Sequence, residues 1–139
     1  MSPAQENQEK NFNLNNELES KLKELKQKLE LCSKCGLCKE ICPVFNTLLN
    51  EAYSARGKNT LVDLNKIHPK IFYACTLCGA CQQICPSNLE LVETFRSIRE
   101  ILVKQGEELK ENKEFIKNMK EHDVPFDINK EEQEEFYCC

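Results

Sequence analysis

The chain has 139 residues and a net charge of −4, with 30% charged and 40% apolar residues, ten of the apolar set being cysteines. A domain of this length normally hides about 70% of its unfolded surface around an apolar core, and ordinary apolar side chains are too few here to do that alone. Acidic and basic residues are mixed along the same segments with no basic stripe to meet phosphates, which argues against a nucleic-acid partner.

Residues 1–14, rich in Gln, Asn and Glu, are expected to be a disordered tail. They lack the apolar region of a signal peptide, and no apolar run approaches the 18 residues of a membrane span, so a cytoplasmic protein is expected. Asn15 or Asn16 can cap a helix running to about Leu31, with Leu18, Leu22, Leu25 and Leu29 on one stripe. Glu17 with Lys21, Glu19 with Lys23 and Glu24 with Lys28 are spaced to pair along its exposed sides. The stripe is most simply core packing, with a partner helix as the other reading.

The run CSKCGLCKEICP, residues 32–43, follows this helix. Pro43 then stands at a first helical position ahead of Val44, Phe45, Leu48 and Leu49. SARGK, residues 54–58, reads as a break, and a short helix is expected over 60–67, closed by Pro69. A second run, CTLCGACQQICP, occupies residues 75–86. Ser87 and Glu90 match a capping box for a helix whose apolar face is Leu91, Val92, Phe95, Ile98, Ile101 and Leu102 and which stops at Gly106. A last helix is expected over 107–121, with acids at its start and lysines near its end, as the helix dipole prefers. An acidic tail ends in Cys138 and Cys139. No segment alternates like a strand, so the fold class is all-α.

The two runs keep seven positions in register. Cys32, Cys35, Cys38 and Cys42 map onto Cys75, Cys78, Cys81 and Cys85, and Gly36, Ile41 and Pro43 onto Gly79, Ile84 and Pro86. C-x-x-C-x-x-C-x-x-x-C-P is the spacing that ligates 4Fe-4S clusters, and in two-cluster ferredoxins the fourth cysteine serves the other cluster. On that pattern Cys32, Cys35, Cys38 and Cys85 hold one cluster, and Cys75, Cys78, Cys81 and Cys42 hold a second. Structural zinc is the competing reading, but zinc sites use separated C-x-x-C knuckles rather than four cysteines and a proline at once. A disulfide framework does not suit a reducing compartment. Gly36 and Gly79 would let backbone amides approach the sulfides.

Thirty-two residues separate Cys42 from Cys75, and they carry helical signals, unlike the hairpins of a small bacterial two-cluster ferredoxin. Residues of about 30–105 resemble the α-helical ferredoxin domain of multi-subunit oxidoreductases: the small iron-sulfur component of heterodisulfide reductase, and the iron-sulfur subunits of glycolate oxidase and anaerobic glycerol-3-phosphate dehydrogenase. The stretch Ala55-Arg56-Gly57-Lys58 is similar to the S-x-R-G turn of those families, and CTLCGACQQICPSNLEL to their second run. The resemblance implies a two-cluster domain over residues 15–106 with flanking helices. It also implies an electron-transfer role beside a flavoprotein, a subunit like the cysteine-rich component of heterodisulfide reductase, or both; the helix and tail over 107–139 offer a partner-docking segment, and the chain, without a span of its own, can dock onto a membrane-anchored subunit. EEFYCC loosely resembles the approach to the cysteine-rich domain of the fused relatives, so Cys138 and Cys139 are either contacts to a partner's cofactor or two thiols on a tail.

No nucleophile and base pair, phosphate loop or nucleotide fingerprint is present to suggest a substrate site. A relay subunit is therefore expected, with a free-standing electron carrier as the alternative and a redox-sensing or structural use of the clusters as a third. His68 and His122 are read as structural. Arg56 and Lys58 are either tuners of a nearby cluster, contacts to a partner's acid, or a solvated basic turn.

Overall fold

A computed structural model describes the backbone of residues 3–125 and the side chains of residues 16–125. Among the described residues every regular element is helical, as expected of an all-α chain: α1 (Pro3–Glu30), α2 (Leu37–Glu40), α3 (Pro43–Leu48), a 3-10 turn (Glu51–Tyr53), α4 (Ala55–Asp63), α5 (Pro69–Tyr73), α6 (Ala80–Gln83), α7 (Leu91–Lys104) and α8 (Lys110–His122). The chain forms two compact units, the first ending at Glu107 and the second beginning at Glu108.

The core of the first unit is assembled from α1, α4, α5 and α7. Leu18, Leu25 and Leu29 of the α1 stripe are buried with Val62, Phe72, Phe95, Ile98, Ile101 and Leu102. The rings of Phe72 and Phe95 meet edge to face, their centroids 6.1 Å apart, the arrangement that the ring quadrupoles favour. Cys32, Cys38, Cys75, Cys81 and Cys85 pack against this same core. The leucine stripe is therefore core packing.

Several local expectations are corrected. α1 begins at Pro3, so Asn15 and Asn16, expected as caps, lie inside the helix, while residues 1 and 2 of the expected 1–14 tail lie outside the described residues. Gln, Glu and Lys are good helix formers, and proline is tolerated in a first turn. Of the ion pairs expected along α1, Glu24 and Lys28 meet at 3.1 Å, but Lys21 reaches Glu100 of α7 at 2.6 Å and Glu17 faces Lys104 at 3.8 Å. Charges at the edge of the stripe sit within reach of the neighbouring helix and tie the two together.

SARGK is a helix start rather than a break. The Ser54 hydroxyl accepts from the Gly57 amide at 2.9 Å, opening α4 ahead of the stretch expected from Thr60, and α4 ends at Asp63. Pro69 opens α5 instead of closing a helix, the other use of a proline ring whose φ suits a first turn. No capping box forms at Ser87 and Glu90. Glu90 precedes α7 with no side-chain cap, and the Val92 amide donates instead to Oε1 of Gln82, 3.2 Å away in α6. In the second unit α8 spans most of the segment expected over 107–121, with Glu111 in its first turn and Lys120 and His122 in its last.

Candidate metal centre

Each cysteine run folds into the same local shape. Two residues into each run Lys34 and Leu77 adopt φ of 55° and 54°, and Gly36 and Gly79 follow at 88° and 81°. A one-turn helix then carries the third cysteine: α2 after Gly36, α6 after Gly79. Successive left- and right-handed residues turn backbone N–H groups into a concave nest, a form of anion site that recurs around iron-sulfur centres. The glycines were legible as positions of backbone freedom. The left-handed Lys34 and Leu77 were not, because neither side chain favours that region.

The runs line two cavities. Cys32, Cys35, Cys38 and Cys85 surround the first, with Gly36, Arg56, Asn59 and Pro86 in its wall. Cys42, Cys75, Cys78 and Cys81 surround the second, with Pro43, Ala55, Lys58, Gly79 and Phe95. Each cavity thus takes three thiols from one run and the fourth from the other. Pro43 sets Cys42 just ahead of α3, which turns that thiol away from its own loop. α4 stands against both: Ala55 and Lys58 reach the second cavity, Arg56 and Asn59 the first.

The donor chemistry suits an iron-sulfur core. Four thiols with a neutral or cationic surround supply thiolates, the ligands such clusters take. Among the described residues no three His, Cys, Asp or Glu side chains gather closely enough to hold one ion. A zinc ion at Zn–S ≈ 2.3 Å needs its sulfurs roughly 3.8 Å apart, whereas a cubane presents four separate corners. His68, ahead of α5, and His122, at the end of α8, line neither cavity. Cys138 and Cys139 lie outside the described residues.

Electrostatics differ from thiol to thiol. Cys35 is exposed, and a backbone hydrogen bond from Leu37 followed by the Ser33 hydroxyl holds its pKa below the ordinary value. Burial pushes Cys38 up, with a backbone hydrogen bond from Arg56 opposing it. Burial, reinforced by the neighbouring Cys75, pushes Cys81 up to about 11. Ligation through Cys81 would have to displace a firmly held proton.

Two basic residues that the sequence left ambiguous have separate fates. Arg56 is partly exposed, donates through Nε to Glu51 at 2.8 Å and sits over Gly36, where an added Cβ would meet Nη1 at 2.8 Å. Lys58 is 1% exposed, so it is no solvated turn. Its ammonium donates to the Tyr53 carbonyl and lies 5.7 Å from the centre of the Phe95 ring. Burial lowers its pKa, while Cys75, Cys42 and Cys81 act to raise it.

Three contributors escaped the sequence. Asn59 is buried beside the first cavity with Oδ1 unpartnered. Gln82 is the tertiary cap of α7 described above. Arg99, on α7, donates to the carbonyls of Phe72 at 2.8 Å and of Cys75, closing the end of α5 where the second run begins. An arginine in an amphipathic helix gives no sign of which loop it will hold.

Residues 27–89 match the family model of the 4Fe-4S dicluster domain. The match supports an iron-sulfur, ferredoxin-like domain with 4Fe-4S clusters and an electron-transfer role. A search of curated proteins finds no match.

Proposed function

We propose that the chain is the electron-relay subunit of a multi-subunit oxidoreductase of the heterodisulfide reductase or glycolate oxidase kind. It carries two 4Fe-4S clusters. Cys32, Cys35, Cys38 and Cys85 hold one, and Cys75, Cys78, Cys81 and Cys42 hold the other. The observation that carries the reading is the three-plus-one exchange of cysteines between the two cavities. It is the arrangement that two-cluster ferredoxins use, and it arises here from two runs that are distant in sequence.

When bound, such clusters accept and release single electrons without making or breaking bonds to substrate. The chain's own work is to hold and insulate them. Cys35 and Cys78 are exposed while the other six cluster cysteines are half-buried, so each centre has one edge toward a partner and the rest of its shell in protein. The partner's chemistry follows from the resemblance: a flavoprotein, a cysteine-rich subunit, or both, in the cytoplasm or docked onto a membrane-anchored subunit. No described helix is long and apolar enough to cross a membrane.

The test is anaerobic purification of the untagged chain from its source, counting iron and acid-labile sulfide and identifying co-purifying proteins. About eight irons with matching sulfide per chain, together with a flavoprotein or cysteine-rich partner, is the expected result. Zinc without sulfide would overturn the cluster reading, and a fully loaded lone monomer would replace the relay subunit with a soluble carrier. Cys42→Ser and Cys85→Ser report on ligand exchange. Each is expected to perturb the cluster of the opposite run, and a spectral change confined to the substituted run's own cluster would contradict it.

A further inference from the structure

The charges around the two cavities are not equivalent. Cations near the first are matched by carboxylates at the surface: Arg56 by Glu51 at 2.8 Å, Lys34 by Asp63 at 3.5 Å, and Lys39 by Glu40 at 3.6 Å, with Glu51 3.8 Å away. Each pair presents little net charge, and solvent screens what remains.

The second cavity faces Lys58 in its wall and Arg99 on the Cys75 carbonyl. Among the described residues neither has a carboxylate within 4 Å. One carbonyl and an aromatic face are the polar company of the Lys58 ammonium. A buried cation without a counter-charge is costly. The groups able to supply negative charge there are the thiols of Cys42, Cys75 and Cys81, the same three whose charge acts on Lys58.

Resting on the two-cluster reading above, we propose that Lys58, supported by Arg99, sets the order of the two potentials. The centre held by Cys42, Cys75, Cys78 and Cys81 is the more easily reduced, and it holds the electron when the chain is half reduced. Half reduction takes one electron from an external one-electron donor, which is oxidised by one, and adds one negative charge with no bond changed. A buried cation favours the more negative state and is screened little, so its effect falls on the adjacent centre. The paired charges at the first cavity have no such bias. Electron flow from the Cys32 side to the Cys75 side is then downhill, with the exposed Cys35 marking the entry edge and Cys78 the exit.

The test is a dithionite titration of the full chain carrying its clusters, followed by electron paramagnetic resonance. Cys78→Ser marks one centre. Two separate one-electron steps are expected, with the serine substitution altering the upper one. Lys58→Met is expected to shift the upper step downward and leave the lower in place, whereas Lys58→Arg keeps both. If the Met variant holds no iron, Arg99→Gln is expected to lower the same step. The proposal is overturned if Cys78→Ser alters the lower step, if both centres reduce together, or if loss of either cation moves both steps equally or neither. A chain with neither iron nor sulfide would instead remove the cluster reading on which the proposal rests.

Discussion

Two glycines show how one residue type serves different physics. Gly57 is helical, so alanine there would gain about 1 kcal/mol from propensity alone, yet an added Cβ would stand 1.9 Å from the Glu51 carbonyl oxygen. Backbone cannot yield as a side chain can. Gly57→Ala is expected to destabilise by about 2 kcal/mol or more, read as a lower guanidinium midpoint under anaerobic conditions. Gly79→Ala meets nothing nearer than Val92 Cγ2 at 3.9 Å, so its cost is that of the left-handed backbone, about 1–2 kcal/mol. A midpoint unchanged by Gly57→Ala would contradict the close approach of α4 to the 3-10 turn. The resemblance singled out the residues around Gly57 without giving this reason.

Among elements, the telling cases are helix starts. α4 is capped by the hydroxyl of Ser54, which is 0% exposed and is also within 3.3 Å of Glu51. Ser54→Ala should cost about 1 kcal/mol through the orphaned Gly57 amide. α7 takes its cap from Gln82, so Gln82→Ala should weaken the joint between the second cysteine run and α7 by a similar amount, seen as faster amide exchange at Val92. Equal exchange in both chains would leave that cap without energetic weight. The apolar faces of α1 and α7 were legible because a 3.6-residue period writes itself into sequence. The caps were not. Ser87 and Glu90 carry the right letters for a capping box, but a side chain from another element reached the Val92 amide instead. The same holds for Lys21, whose partner at four residues' distance lost to Glu100 across the helix pair.

Across the whole chain, all eight candidate ligand cysteines and both cavities belong to the first compact unit. A chain ending at Glu107 is expected to keep the full iron content. Loss of iron on that truncation would show that the second unit supports the site. Loading should also depend on pH. The proposed ligands are thiolates, and Cys81 holds its proton up to about 11, so iron uptake by the metal-free chain should rise on going from about pH 6.5 to about 8.5. A flat profile would mean that deprotonation does not limit assembly.

The helical class, the main core faces, the eight candidate ligands and the pairing of runs could be read from the letters, because ligand spacing and hydrophobic period are local properties of a chain. What surrounds those ligands comes from folding. It buried Lys58 against one cavity while Arg56 found Glu51 at the other, and brought Arg99 to the end of α5. Nearby letters such as Arg56 and Lys58 look alike in a sequence, but helical residues two apart point about 160° apart, to nearly opposite sides. One therefore meets water and a carboxylate, and the other meets thiols and an aromatic ring.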